Sequence, residues 1–136
     1  MFERRDDSAF DYCMHEGAPL QVSHHFLGST GLPVAIQTWS IPPGGFEGFH
    51  RHEGEEALTE FYQVLSGTAR MCVGEDTRIL GPGDSALALP GVDHDLVNPG
   101  PEELRVLVVW GPPGELDLSG FGSHRAALAA RKTAEK

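Results

Sequence analysis

Basic residues are scarce in this 136-residue chain: ten Lys and Arg stand against twenty Asp and Glu, giving a formal net charge of −10. A surface of that sign repels a phosphate backbone, so no nucleic-acid partner is expected, whereas a bound cation is favoured. Cysteine is scarcer still. Cys13 and Cys72 are too few and too far apart for a disulfide framework, which points to reduced thiols. No apolar run approaches bilayer-spanning length, and MFERRDDSAF has no apolar stretch behind its basic pair. A cytoplasmic protein with no membrane partner is the expectation. Glycine-rich phosphate loops, nucleophile-elbow motifs, low-complexity segments and solenoid-type repeats are all missing, and nothing supports paired-carboxylate glycosidase chemistry.

Glycine and proline, by contrast, are plentiful, with seventeen and ten copies. They interrupt the chain at short intervals and favour many short strands over long helices. The length suits one domain with a real core. Strands are expected in LQVSHHFL (20–27), PVAIQTWSI (33–41), EFYQVLSG with TARMCVGED (a hairpin turning at Ser66-Gly67), SALALP (85–90) and ELRVLVVW (103–110). The last is apolar enough to be buried on both faces. FEGFHRH (46–52) is a short extended piece, and EGEEALT (53–59), which lacks alternation, is a connecting loop. The polar residues 1–19 form an arm, 20–114 a barrel or sandwich, and 115–136 a tail. SHRAALAARKTAEK in that tail is Ala-rich, with Ser123 as N-cap candidate, and suits either a short helix or a solvated tail.

Chemistry concentrates in three histidines. In an extended segment His50 and His52 point to the same side and can share one ion. His-x-His alone is weak, but His94 follows a glycine-rich turn in a separate strand-like segment. His24 and His25 are adjacent and would leave a strand on opposite faces, so at most one can enter a site. His15 and His124 belong to no motif.

Gly44, five residues, His50-Arg51-His52, and then Glu60, six residues and Gly67 resemble the first cupin motif. Gly83-Asp84, Pro90-Gly91-Val92-Asp93-His94, three residues and Asn98 resemble the second. The chain is thus similar to small single-domain cupins of the conserved-barrel type. Two departures stand out: Pro90 comes one place late, and the glutamate position has two claimants. Glu56 keeps the usual distance from His52, whereas Glu60 keeps the distance to Gly67. Glu60 is preferred because EFYQVL has strand propensity and Glu56 lies in the loop.

The resemblance implies an all-β double-stranded β-helix (a jelly roll) with a short C-terminal helix or tail. It also implies a metal held by His50, His52, Glu60 and His94, with Glu56 as the alternative to Glu60. Such a donor set suits iron, manganese, nickel, copper or zinc. The expected function is that of a metal-dependent enzyme acting on a small organic substrate, a dioxygenase first. The alternatives are an isomerase, lyase or cyclase, or a non-catalytic small-molecule sensor. A homodimer is implied as well. Tyr62 shares the parity of Glu60 and is the catalytic candidate, the other reading being an aromatic whose hydroxyl is simply bonded. Small Ala86 and Ala88 can leave room for a ligand, Trp39 can wall the cavity, and Asn98 secures a turn.

Overall fold

A computed structural model of the chain describes residues 1–15 and 17–135. Glu16 and Lys136, which belong to the expected arm and tail, lie outside the described residues. Among the described residues nine strands run in the order β1 (Ala9–Cys13), β2 (Pro19–His24), β3 (Ala35–Ile41), β4 (Thr59–Ser66), β5 (Ala69–Val73), β6 (Asp76–Leu80), β7 (Ser85–Ala88), β8 (His94–Val97) and β9 (Leu104–Gly111). A helix, α1 (Gly122–Ala134), follows them. The strands form two antiparallel sheets, β1-β2-β3-β9-β4-β7 and β6-β5-β8. This is the all-β jelly roll that the sequence implied.

Alternation builds the core. Glu60, Tyr62 and Val64 of β4 are buried while the residues between them are only half covered. Val22, Trp39 and Val106 lie in register across β2, β3 and β9, and all three are buried. Met71 and Leu96 meet them from the smaller sheet. Burying each such aliphatic side chain contributes roughly 1.5–3 kcal/mol. Asn98 ties the turn after β8, donating to the carbonyls of Ile41 and Glu102 and accepting from the Gly100 amide.

Several expectations need correction. The segment before residue 20 is not all arm, because Ala9–Cys13 pairs along its length with β2. The chain does not form a hairpin at Gly67. There it passes from the large sheet to the small one, and β5 instead pairs with β6 and β8. Both flanking strands are apolar and alternating, and the partner each takes is a tertiary matter that the local pattern does not carry. β9 is buried on one face and half-buried on the other. Ser123 lies inside the first turn of α1; the cap position is Phe121, and no side chain caps the helix. With no buried residue, α1 rests on alanine propensity and on Arg131 and Lys132 at its negative end. Among the described residues no helix is long and apolar enough to cross a membrane.

Candidate metal centre

Backbone pairing brings the histidines together. The extended segment after β3 bridges β8 where His50 and His94 exchange both of their amide–carbonyl hydrogen bonds, at 3.1 and 2.8 Å. His52 lies two residues on, its carbonyl accepting from the Gly91 amide at 2.8 Å. Glu60 arrives from the other sheet near the start of β4, opposite Ala88 on β7, and Tyr62 stands opposite Ala86. Small neighbours leave the carboxylate and the phenol room on the inner face.

The four side chains converge. Glu60 Oε1 is 2.6 Å from His52 Nε2, 3.3 Å from His94 Nε2 and 3.7 Å from His50 Nε2, and the His50 and His52 Nε2 atoms are 3.0 Å apart. Adjacent ligands of an octahedral ion with bonds of about 2.1 Å lie about 3 Å from one another, so this spacing suits a single ion. The ring chemistry agrees. His50 Nδ1 donates to the Gly48 carbonyl at 2.6 Å, and His94 Nδ1 donates to the Val92 carbonyl at 2.9 Å. A carbonyl only accepts, so each Nδ1 carries a proton, and Nε2 is left as the ring atom that faces the cluster and can bind an ion once it is unprotonated. The cluster of His50, His52, Glu60 and His94 is able to bind a metal ion. Glu56 is exposed in a single 3₁₀ turn, Gly54–Glu56, and does not join it.

Titration tendencies follow from the same packing. Burial alone would raise the Glu60 carboxyl, but contacts from His50, His94 and Tyr62 outweigh it and hold the group well below the usual range. Burial would lower His94, yet its bonds to Glu60 and the Val92 carbonyl raise it. Burial wins at His52, which is lowered.

Two residues outside the motifs complete the surroundings. Glu47 is fully buried, with both carboxylate oxygens 3.2 Å from the Tyr62 hydroxyl and Oε1 3.4 Å from His50 Nε2. Tyr62 has one hydroxyl hydrogen, and the 2.7 Å contact carries it to Glu60 Oε2. Glu47 is then satisfied by keeping its own proton and donating it to the phenol oxygen. Burial, and next the charge of Glu60, push its carboxyl well above the ordinary range, in line with that hydrogen count. The same burial, and next the adjoining carboxyl groups, raise Tyr62.

His15 has φ +40° and stacks its ring on His50, with centroids 3.5 Å apart. Its outer side stays exposed, while burial of the inner side and the neighbouring His50 and His52 pull it down to about 4. Ligand-capable atoms of His15, Glu47 and His50 lie within 4.8 Å of one another. They do not make a second centre, because the Nδ1 of His50 is spent on Gly48 and its one free nitrogen cannot serve two ions. His15 and Glu47 flank a single site.

Neither was apparent in the sequence. Glu47 and His50 are an odd number of residues apart, and an uninterrupted strand would send them to opposite faces. Gly48, at φ +111°, breaks the alternation and turns both inward. Gly17 rests on the backbone of Phe46 and Glu47, where a Cβ would collide, and so holds the chain beside His15 close to the site. A glycine between two titratable residues was the signal available. Among the other histidines, His24 bonds Gln37 and His25 bonds Thr38 and Glu3, both half-buried and outside the cluster.

The cupin domain family model matches residues 37–110, just over half of the chain. The protein is a cupin. An uncharacterized protein of Streptomyces coelicolor is 31% identical over 110 residues, covering 81% of this cupin and 94% of that protein. Among solved structures, a predicted oxalate decarboxylase from Thermotoga maritima superposes with a TM-score of 0.74 at 22% identity, covering 83% of this chain and all of the other. A cupin 2 conserved barrel domain protein from Salinispora arenicola gives 0.66 at 23% identity, covering 82% and 88%. At those identities the two structures attest the barrel alone.

Proposed function

We propose that this cupin is a metal-dependent enzyme acting on a small organic substrate, with oxygenation as the leading reaction class. One observation carries the reading: two of the four ligand residues, His52 and Glu60, line a cavity of about 360 Å³ together with Glu47. A metal that served only to staple the barrel would need neither a cavity of ligand size nor a second buried carboxyl beside it. A divalent transition ion held there would supply a Lewis acid and, if redox-active, a site for dioxygen. The chain's own residues do the rest. His50, His52 and His94 would hold the ion through Nε2, Glu60 would add the anionic donor, and apolar residues wall the cavity beside them. Tyr62 passes a hydrogen bond from Glu47 to Glu60, and that makes it the proposed catalytic side chain of the proton network.

The network also favours a second reading. A retained carboxyl proton next to a phenol equips the site for proton transfer, as an isomerase, lyase or cyclase needs. Oxygen consumption separates the two. With the as-purified protein and a panel of small ring compounds, stoichiometric oxygen uptake supports oxygenation. Turnover that is unchanged under anaerobic conditions supports proton chemistry. No turnover, with ligand binding retained, leaves a sensing module and sinks the enzymatic reading.

A further inference from the structure

The titratable side chains of the cavity gather at one end. Glu47, His52 and Glu60 stand there at the metal centre, with His15 stacked on His50 beside them. From that end the walls turn apolar. Val22 and Trp39 come from the floor of the large sheet, Trp110 from β9, and Leu58 from the loop before β4. The strand β1 forms the remaining side. Phe10 pairs with Val22 and Tyr12 with Leu20, and both partners are buried in the core, so the two rings share the inner face. They meet edge to face with centroids 6.3 Å apart and remain about half exposed. Neither ring belongs to the motifs that place the metal ligands, so this wall is a property of the chain's own sequence.

Away from the metal end the walls offer a ligand almost nothing to hydrogen-bond. Among the described residues lining the cavity there is no serine, threonine, asparagine, lysine or arginine. Gln37 is buried and tied at both ends. Its oxygen accepts from the Trp39 indole at 2.9 Å, and its nitrogen donates to His24 Nδ1 at 3.1 Å. The first of these bonds also uses up the indole hydrogen of Trp39. Tyr12 adds a phenol, on a ring that is half exposed. A sugar or polyol stacked on these rings would bury hydroxyls without side-chain partners, each costing about tenfold in affinity. An apolar ring fills the same space without that loss, and its face and edge suit the aromatic rings around it. We infer that the ligand of this site is a carbocyclic or aromatic compound whose polar atoms are confined to the end at the metal centre, with Phe10, Tyr12 and Trp110 selecting its bare ring. A carboxylate or a phenolic oxygen serves equally as that end, because a divalent ion takes either. The inference rests on the metal-enzyme reading for the place of the polar end, while the walls alone select the ring.

Trp39 and Trp110 are the chain's two tryptophans and both line the cavity, so indole fluorescence reports directly on occupancy. The probe pair is 1-cyclohexenecarboxylate and shikimate, which share the ring and the carboxylate and differ only in the ring hydroxyls of shikimate. With the same head group on each, the ion's contribution cancels from the comparison and the walls are read alone. Both are titrated into the as-purified protein by fluorescence and by calorimetry, and metal content is determined on the same sample. 1-Cyclohexenecarboxylate is expected to bind saturably and at least about tenfold more tightly than shikimate. Phe10→Ala, a change on an edge strand at the cavity wall, is expected to weaken it about fivefold without altering metal content. Equal or tighter binding of shikimate, no saturable binding of 1-cyclohexenecarboxylate, or unaltered affinity in Phe10→Ala overturns the inference. The same preference in a protein that holds no metal upholds the ring selection and overturns the metal reading instead.

Discussion

His94 Nε2 on β8 lies 3.3 Å from Glu60 Oε1 on β4, and those two strands belong to different sheets. A shared ion would therefore join the two walls of the barrel, with consequences for metal retention, stability and proton balance.

Glu60, not Glu56, is the carboxylate on which retention depends. Glu60→Ala is expected to lower metal affinity by about a hundredfold or more, since even groups that only orient a ligand cost 10–100-fold. Glu56→Ala, altering an exposed residue of the 3₁₀ turn, should purify with the full complement. Elemental content of the two variants checks this, and retained metal in Glu60→Ala contradicts it.

An ion that binds only the folded state stabilises it by mass action. Saturation at a hundred times Kd adds about 2.7 kcal/mol, which for a domain of this size is a Tm shift of about 10 °C. Chelation should lower the calorimetric Tm by that order, and re-addition of metal should restore it. A Tm indifferent to chelator would mean that the ion does not bridge the sheets.

Much of this site was legible in the sequence, and the reason is local geometry. Strand alternation fixes the faces of His50, His52, Glu60 and Tyr62 once the strands are placed, and the Gly67 turn anchors the register of β4. His15 and Glu47 escaped because their positions depend on the left-handed Gly48 and on Gly17 packing against a distant backbone. The hairpin wrongly expected at Gly67 has a similar origin: sheet membership is decided by partners remote in sequence.

Glu47 should leave its mark on the pH dependence of stability. Its folded-state carboxyl titrates well above the ordinary value of 4.5. Between those two points the folded chain holds a proton that the unfolded chain has lost, so stability falls as pH rises through that window. In metal-free protein, Glu47→Gln is expected to remove this slope and to gain stability relative to the parent as pH rises above 4.5. Parallel Tm–pH profiles would contradict the retained proton.

β1 ends the larger sheet with an unpaired edge and carries the half-exposed Phe10 and Tyr12. Open edges recruit partners, and a homodimer paired through this strand is the expected assembly. Light scattering at micromolar concentration should give twice the chain mass of 14.7 kDa, and Asp11→Pro on that edge should reduce it to one. A monomeric parent would remove the dimer from the account.

Elemental analysis of protein purified without chelator tests whether His50, His52, Glu60 and His94 together hold a metal ion. One equivalent of a divalent transition metal per chain, lost in a folded His94→Ala variant, is the predicted result. Substoichiometric metal in the parent, or the same metal content in His94→Ala, would contradict it.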